Sequence, residues 1–519
     1  MNPFPSTSCA DRVSERDGLT VGFEVESHIL SPTSLVEDGD IAARVIANGD
    51  AVEEFHRSVI ELRTDVFSPD QLREALATLK LQELTATSKS GGHSMHYSVS
   101  VDGQGEFRVA DNPRYAYNDH TDTPMTRYAI NSGIHVHVGV ADPDVRVEVK
   151  NRLMAFEHVL VALTATSPIN EGFRRCFGSY RVNDFGAKAS VFDVKPNSYN
   201  EYLDMVCEAL ATINKTDVTA LHPWIRAVLD YNPMTGEAVN KPQTVEVRLF
   251  DNALTVDDQR FATYLSIGLV NAILDDIAND VPERTYMNVS LVRSARQRAA
   301  MQGMLRPLRD PFVKVGQNHQ EGGTKPAWEV AESVFNEVRR GLSAVERRMN
   351  LVEGVLVQDF NTLAAAIRSM GTGSQRLLAA HDAIHASLKK SGVEVPDIDD
   401  WYAGHAPMSH DTARSLKAWL LFQNHFGCIV PGSDVRDRRA LARVRAEANA
   451  GEIDLRMVES IQFYQDSDEV PELDELRQAL FGTWRQDLFH SGVHESSPAA
   501  FPRPFQPVVT NEQSPPQAS

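Results

Sequence analysis

Four short segments alternate apolar residues with charged or imidazole side chains, and no other feature limits so tightly what this chain can build. In TVGFEVESH, Val21, Phe23 and Val25 alternate with Glu24, Glu26 and His28. In SVIELRTDV, Ile60, Leu62 and Val66 alternate with Glu61, Arg63 and Asp65. In SGIHVHVGV, Ile134, Val136 and Val138 alternate with His135 and His137. In TVEVRLFD, Val245, Val247 and Leu249 alternate with Glu246 and Arg248. Successive side chains of a strand point to opposite faces of a sheet. Each segment therefore has one core face and one face of acids, imidazoles and guanidiniums.

Half-buried antiparallel strands often alternate this way with a merely solvated outer face. Here the outer face has the wrong composition for that. Asp and Glu are depleted in strands. Paired glutamates or histidines at i, i+2 set like groups side by side, which repel unless a cation or a partner lies between them. Four such strands on one sheet would form a bed of ligands for hard cations. Carboxylates with one or two imidazoles suit Mg²⁺ or Mn²⁺, which also bridge to substrate phosphates. Glu24 and Glu26 could serve different ions, with Glu61 and Glu246 closing the cluster. Arg248, two residues from Glu246, would face the same cavity and could neutralise a phosphoryl group in transfer.

The rest of the composition narrows the class. A formal net charge of −20 and a pI near 5.3 argue against a nucleic-acid surface and against adhesion to anionic membranes. The four cysteines, Cys9, Cys176, Cys207 and Cys428, include no CxxC pair, so neither a zinc cluster nor a disulfide framework is indicated and a reducing cytoplasm fits. The N-terminal residues lack the apolar core of a secretory signal. The apolar run YLSIGLVNAIL reads as too short and too broken to span a bilayer. There is no GxxxxGK[ST], GxGxxG, HExxH or GxSxG, so a nucleotide would be held another way, through metal ions on carboxylates.

Along the chain, residues 1–17 read as a disordered start. From 18 to 290 the pattern is mixed, with strands near 19–30, 58–67, 94–101, 131–141 and 243–251 and helices over 69–82, 143–166, 199–213 and 255–278. From 291 to 490 it reads as a helical extension, with helices at 328–370, 374–391, 410–425, 434–449 and 471–489. The Pro- and Ser-rich tail from 491 to 519 reads as disordered.

GFEVE, VIELRTDVFSPDQL, SGIHVHVGV followed by DPDVRVEVKNRL, TATSPINEG with a later SYR, and TVEVRLFD occur in this order. In order and spacing they resemble the glutamate–cysteine ligase type 2 family of ATP-dependent carboxylate–amine ligases, and the looser set of amidoligases, over roughly residues 18–280. That resemblance implies an α+β fold of the glutamine synthetase and glutamate–cysteine ligase type. In such a fold a curved antiparallel sheet carries the site, with helices on its outer face. It implies that Glu24, Glu26, Glu61, His135 and Glu246 bind the metal and that Arg248 contacts the phosphoryl group. It further suggests His137, Arg63, Arg181 of SYR and Arg114 of NPRYAY as substrate or nucleotide contacts. ATP and Mg²⁺ (or Mn²⁺) follow as cofactors. A glutamate-like carboxylate and an amine follow as small-molecule substrates, joined through an acyl phosphate. A homo-oligomer is compatible with this reading. The chain departs from the pattern in two places. GGHSMHYSV carries His93 and His96 without the family's His-Pro, which bears on the acceptor, and the helical extension runs past the usual end. A metal-dependent hydrolase on the same fold, or a non-catalytic binding or assembly protein, are the rival readings.

Overall fold

In the computed structural model the four alternating segments pair with one another. It describes residues 12–32, 34–103, 110, 132–183, 194–212, 223–239, 242–317, 322–390 and 392–426. Arg114, Tyr115, Cys9, Cys428, the helices read at 434–449 and 471–489 and the tail from 491 lie outside the described residues.

The sheet strands are β1 (Val21–Leu30), β2 (Val52–Glu53), β3 (Val59–Arg63), β4 (His93–Met95), β5 (Gly133–Gly139), β6 (Ile225–Ala227) and β7 (Thr244–Asp251). Their order is β2-β3-β1-β5-β7-β6, with β4 also paired to β1, and every pairing is antiparallel. The described helices of eight residues or more are α1 (Gly39–Ala47), α2 (Leu72–Lys89), α3 (Pro143–Leu153), α4 (Glu157–Thr164), α5 (Tyr199–Thr212), α6 (Val256–Ala278), α7 (Val289–Gln302), α8 (Ala327–Met349), α9 (Val355–Met370), α10 (Gly373–Lys390) and α11 (His410–Phe426).

Local signals explain where these elements begin. Asp142 caps α3 by accepting from the backbone N–H groups of Asp144 and Val145, with Pro143 next in line. Thr255 and Asp258 form a reciprocal capping box at the start of α6. The apolar faces of β1, β3, β5 and β7 and the helices α2, α3, α4, α6, α8 and α9 contribute to one core. In it Phe261, Phe335 and Phe360 pack with ring centroids 5.5–5.9 Å apart, joining α6, α8 and α9. Each such aromatic pair adds about 0.5–1.5 kcal/mol beyond its burial.

α6 and α8 meet backbone to backbone. A Cβ on Gly341 would stand 1.8 Å from the Gly268 carbonyl oxygen, and one on Gly268 would stand 2.7 Å from the Val338 carbonyl oxygen. α6 has 23 residues and is long and apolar enough to cross a membrane, which the reading of YLSIGLVNAIL as a short run had missed; 89% of its most apolar window is buried inside the protein.

Several boundaries differ from the sequence expectation: the helix read over 69–82 runs on to Lys89, and the one read over 143–166 is divided by a 3-10 turn at Met154–Phe156. The strand read to residue 67 ends at Arg63, which leaves Asp65 exposed and Val66 69% exposed. The strand read over 94–101 is only His93–Met95, because serine hydroxyls beyond it bond to backbone groups instead. Ser98 accepts from the Asn252 N–H at 2.5 Å, and Ser100 accepts from the Gly103 N–H at 3.1 Å. The helix read over 328–370 is two helices, broken where Asn350 (φ 53°) and Gly354 (φ 83°) adopt left-handed backbone.

The helices after 372 meet the other end of the sheet. Lys417 of α11 donates to the Leu35 carbonyl at 3.0 Å and pairs with Asp102 at 2.8 Å. Asn424 accepts from the His96 N–H at 2.8 Å.

Candidate active site

Strand register places the polar side chains in one continuous row. Across β1 and β3, Glu24 faces Arg63 and Glu26 faces Glu61. Across β1 and β5, Glu24 faces His135. Across β5 and β7, His137 faces Glu246. Across β6 and β7, Arg226 faces Glu246. Seven of the expected site residues, Glu24, Glu26, Glu61, His135, His137, Glu246 and Arg248, thus share one sheet face, with Arg63 at its rim.

The imidazoles are set as ligands are. His135 Nδ1 lies 2.9 Å from Glu24, and a carboxylate only accepts, so the ring proton sits on Nδ1. His135 Nε2 is then an unprotonated nitrogen, buried, without a hydrogen-bond partner and 3.6 Å from Glu26 Oε1. His137 repeats this arrangement. Its Nδ1 lies 2.9 Å from the Thr244 hydroxyl, and its buried Nε2 is unpartnered, 3.5 Å from Glu24 and 3.8 Å from Glu246. A second group fixing one ring nitrogen while the other faces a cluster of carboxylates is the usual support of a metal-binding histidine. Among the described residues, three sets have donor atoms all within 4.8 Å of one another: Glu24, Glu61 and His135; Glu24, His137 and Glu246; Glu26, Glu54 and Glu61. Oxygen-rich sets with one imidazole fit a hard divalent cation.

The carboxyls do not behave alike. Burial pushes Glu26 up to about 7, with Glu61 adding to the rise and Arg181 opposing it. Burial, then the neighbouring charge of Glu24, holds Glu61 well above the usual carboxylate range. Burial also acts upward on Glu24, but the adjacent His135 and His137 imidazoles outweigh it and hold that carboxyl below its ordinary value. Glu246 is fully buried, and the Arg226 and Arg248 guanidiniums overcome that burial and keep it well below the ordinary range. Burial lowers His135 to about 4, with Arg248 adding to the fall, so its ring is neutral at pH 7.

The remaining expected residues are placed as follows. Arg63 pairs with Glu61 and lies 3.4 Å from Glu24. Arg181 is buried, and its guanidinium donates to the carbonyls of Arg248 and Phe250. His28 shares the face of Glu24 and Glu26 by alternation but is fully buried and stacked on Tyr97 at 4.1 Å. His96 lies in a buried network, 2.7 Å from Glu83, with Lys80 2.6 Å from the same carboxylate. Sequence reasoning missed Glu54 and Arg226. The only signal for Arg226 was its place between Ile225 and Ala227, a strand too short to show alternation.

A sheet of this topology with helices behind it belongs to the glutamine synthetase and glutamate–cysteine ligase type of fold. The crystal structure of glutamate–cysteine ligase from Francisella tularensis in complex with AMP matches it with a TM-score of 0.52 at 13% identity, over 90% of this chain and 98% of that one. The chain belongs to glutamate–cysteine ligase family 2, whose family model matches residues 20–365, and it is a glutamate–cysteine ligase-like enzyme. Similar relatives include a protein of Salinispora tropica named "Putative glutamate--cysteine ligase 2", 28% identical over 370 residues, 69% of this chain and 89% of the relative. A relative from Mycobacterium sp. (strain KMS), named "Putative glutamate--cysteine ligase 2-2", is 32% identical over 271 residues, 50% of this chain and 69% of the relative.

Proposed function

We propose that this enzyme is an ATP- and divalent-cation-dependent ligase that joins a small carboxylate, glutamate-like in kind, to an amine through a γ-glutamyl-type amide bond. The observation that carries this reading is the strand register that brings Glu24, Glu26, Glu61, His135, His137 and Glu246 onto one face with interlocking donor sets. The family match and the AMP held by the Francisella tularensis ligase support amide-bond chemistry driven by an adenine nucleotide.

Glu24, Glu61 and His135 would hold one Mg²⁺ or Mn²⁺, and Glu24, His137 and Glu246 another, with Glu26 and Glu54 beside Glu61. Held there, the cations would supply positive charge against the phosphates of the nucleotide. An oxygen of the substrate carboxylate bonds to the γ-phosphorus, the bond from that phosphorus to the bridging oxygen breaks, and ADP leaves. The amine nitrogen then bonds to the acyl carbon, inorganic phosphate leaves with the electron pair, and the amine proton passes to solvent. The chain supplies positioning and charge rather than a covalent nucleophile. Arg248 has guanidinium N–H groups beyond the one bonded to Glu246 and can meet the phosphoryl oxygens. The neutral ring of His135 keeps Nε2 free of a proton. The core under the sheet holds the donors in place.

The helices of 327–370 belong to the catalytic unit in this reading, since their apolar faces complete the core behind the sheet. The free Cys176 and Cys207 accord with a reducing, cytoplasmic setting. The test is ADP release by the purified chain with ATP and Mg²⁺ across pooled amino acids and amines, with mass spectrometry of the products. Amine-dependent ADP formation with a new amide mass is the expected result. ADP release that never yields an amide would turn the assignment toward a hydrolase.

A further inference from the structure

The mechanism above asks two things of Arg248. Its Nη1 is bonded to Oε1 of Glu246, and its remaining N–H groups would meet the phosphoryl oxygens, so two anions compete for one guanidinium charge. When Arg248 turns toward an anion, Glu246 must remain an ionised, fixed carboxylate in a fully buried position. A buried carboxylate without a counter-charge is costly.

Arg226 removes the conflict by geometry. The pairing of β6 with β7 sets it directly across from Glu246 on the same face. Its Nε donates to Oε2 of Glu246 at 2.7 Å, and its Nη2 donates to the same oxygen. The fork closes on Oε2 and leaves Oε1 turned to the site, 3.8 Å from His137 Nε2. The strand cannot drift, because Ile225 and Ala227 on either side are buried in apolar clusters. Tyr202 of α5 packs beside the pair and is hydrogen-bonded to the backbone of Ala227. Two guanidiniums against one carboxylate leave this end of the row with a surplus positive charge, which suits an anionic substrate group.

We propose that Arg226 is a positioning residue: it fixes one oxygen of Glu246 so that the other faces the cation cluster, and it supplies the counter-charge that frees Arg248 for an anion. This rests on the metal-dependent ligase reading. Partners that orient a metal ligand from behind typically change metal affinity tenfold to a hundredfold when removed.

The test is Mn²⁺ binding to the purified full chain, read as free Mn²⁺ by electron paramagnetic resonance, with melting temperature as a second readout. Arg226→Gln should bind Mn²⁺ about tenfold to a hundredfold more weakly than the wild type. Arg226→Lys should fall between the two, because lysine keeps the charge but not the fork. As a control, Arg296→Gln breaks the buried Arg296–Glu157 pair between α7 and α4, away from the site. It should lower the melting temperature and leave Mn²⁺ affinity unchanged. If Arg226→Gln binds Mn²⁺ as tightly as the wild type, the inference is overturned. If that variant does not fold, Arg226→Lys decides, and wild-type affinity there overturns it equally. A wild-type chain that binds no Mn²⁺ would instead sink the ligase reading beneath it.

Discussion

The two ends of the polar row use the same residue type in opposite electrostatic states. At the β1–β3 end, Glu26, Glu54 and Glu61 crowd together, and Arg63, whose side chain is 51% exposed, is the guanidinium paired with Glu61. At the β7–β6 end, Glu246 lies between Arg226 and Arg248, whose side chains are only 13% and 18% exposed. Burial acts upward on Glu26, Glu61 and Glu246 alike, yet Glu26 and Glu61 rise while Glu246 falls. Burial alone therefore does not decide the state of a carboxylate in this sheet; the balance of burial against the neighbouring charges and hydrogen bonds does. The acid-rich end is short of positive charge, which a proton or a cation can supply. The arginine-rich end is balanced already and has positive charge to spare for a substrate.

Substitutions should separate the ends cleanly. Glu246→Gln leaves two buried guanidiniums without their carboxylate, so the metal-free protein should lose about 3–5 kcal/mol of stability. The same change should cut ligase turnover on the order of a thousandfold. Glu26→Gln removes a carboxyl that is buried against its neighbours. At pH 8 the metal-free protein should gain about 1–3 kcal/mol, measured by denaturant unfolding, while Mn²⁺ binding weakens. A stable Glu246→Gln or a destabilised Glu26→Gln would erase the distinction between the ends.

The smallest effect is on pH dependence. Glu26 has its carboxyl raised from 4.5 to about 7, so the folded, metal-free protein holds that proton more tightly than the unfolded chain does. The stability this group contributes is complete below pH 4.5 and is lost as pH rises through about 7. Unfolding midpoints in chelator at pH 5, 6, 7 and 8 should decline from this group, and saturating Mn²⁺ should flatten the decline. A slope that Mn²⁺ leaves untouched would detach Glu26 from the cation cluster.

Much of this arrangement was legible beforehand, for a physical reason. β1, β3, β5 and β7 are long enough for a period of two to show, and register follows once one face is apolar. Glu24, Glu26, Glu61, His135, His137, Glu246 and Arg248 could be read from that alone, together with the family resemblance. Arg226 could not, because three residues carry no period. Glu54 could not, because it joins the cluster from just beyond β2 rather than from a paired strand position. His28 shows the limit of alternation in the other direction. It sits on the correct face, but β4 pairs beside it and Tyr97 covers its ring. The break at 350–354 was hidden because helical periodicity resumes in α9 with little offset, whereas left-handed backbone at Asn350 and Gly354 is set by tertiary packing as much as by residue type.

The glycine contact between α6 and α8 has a consequence for how this protein can be divided or altered. No side chain separates Gly268 from Gly341, so the two helices share a seam with no room for even one methyl group. A larger residue at either position would have to lift α8 off α6 and open the apolar layer under the strands that carry the polar row. α8 begins at Ala327, well past the point where the pattern of strands gives way to helices. A chain cut at residue 290 would therefore be an unfinished ligase rather than a smaller one.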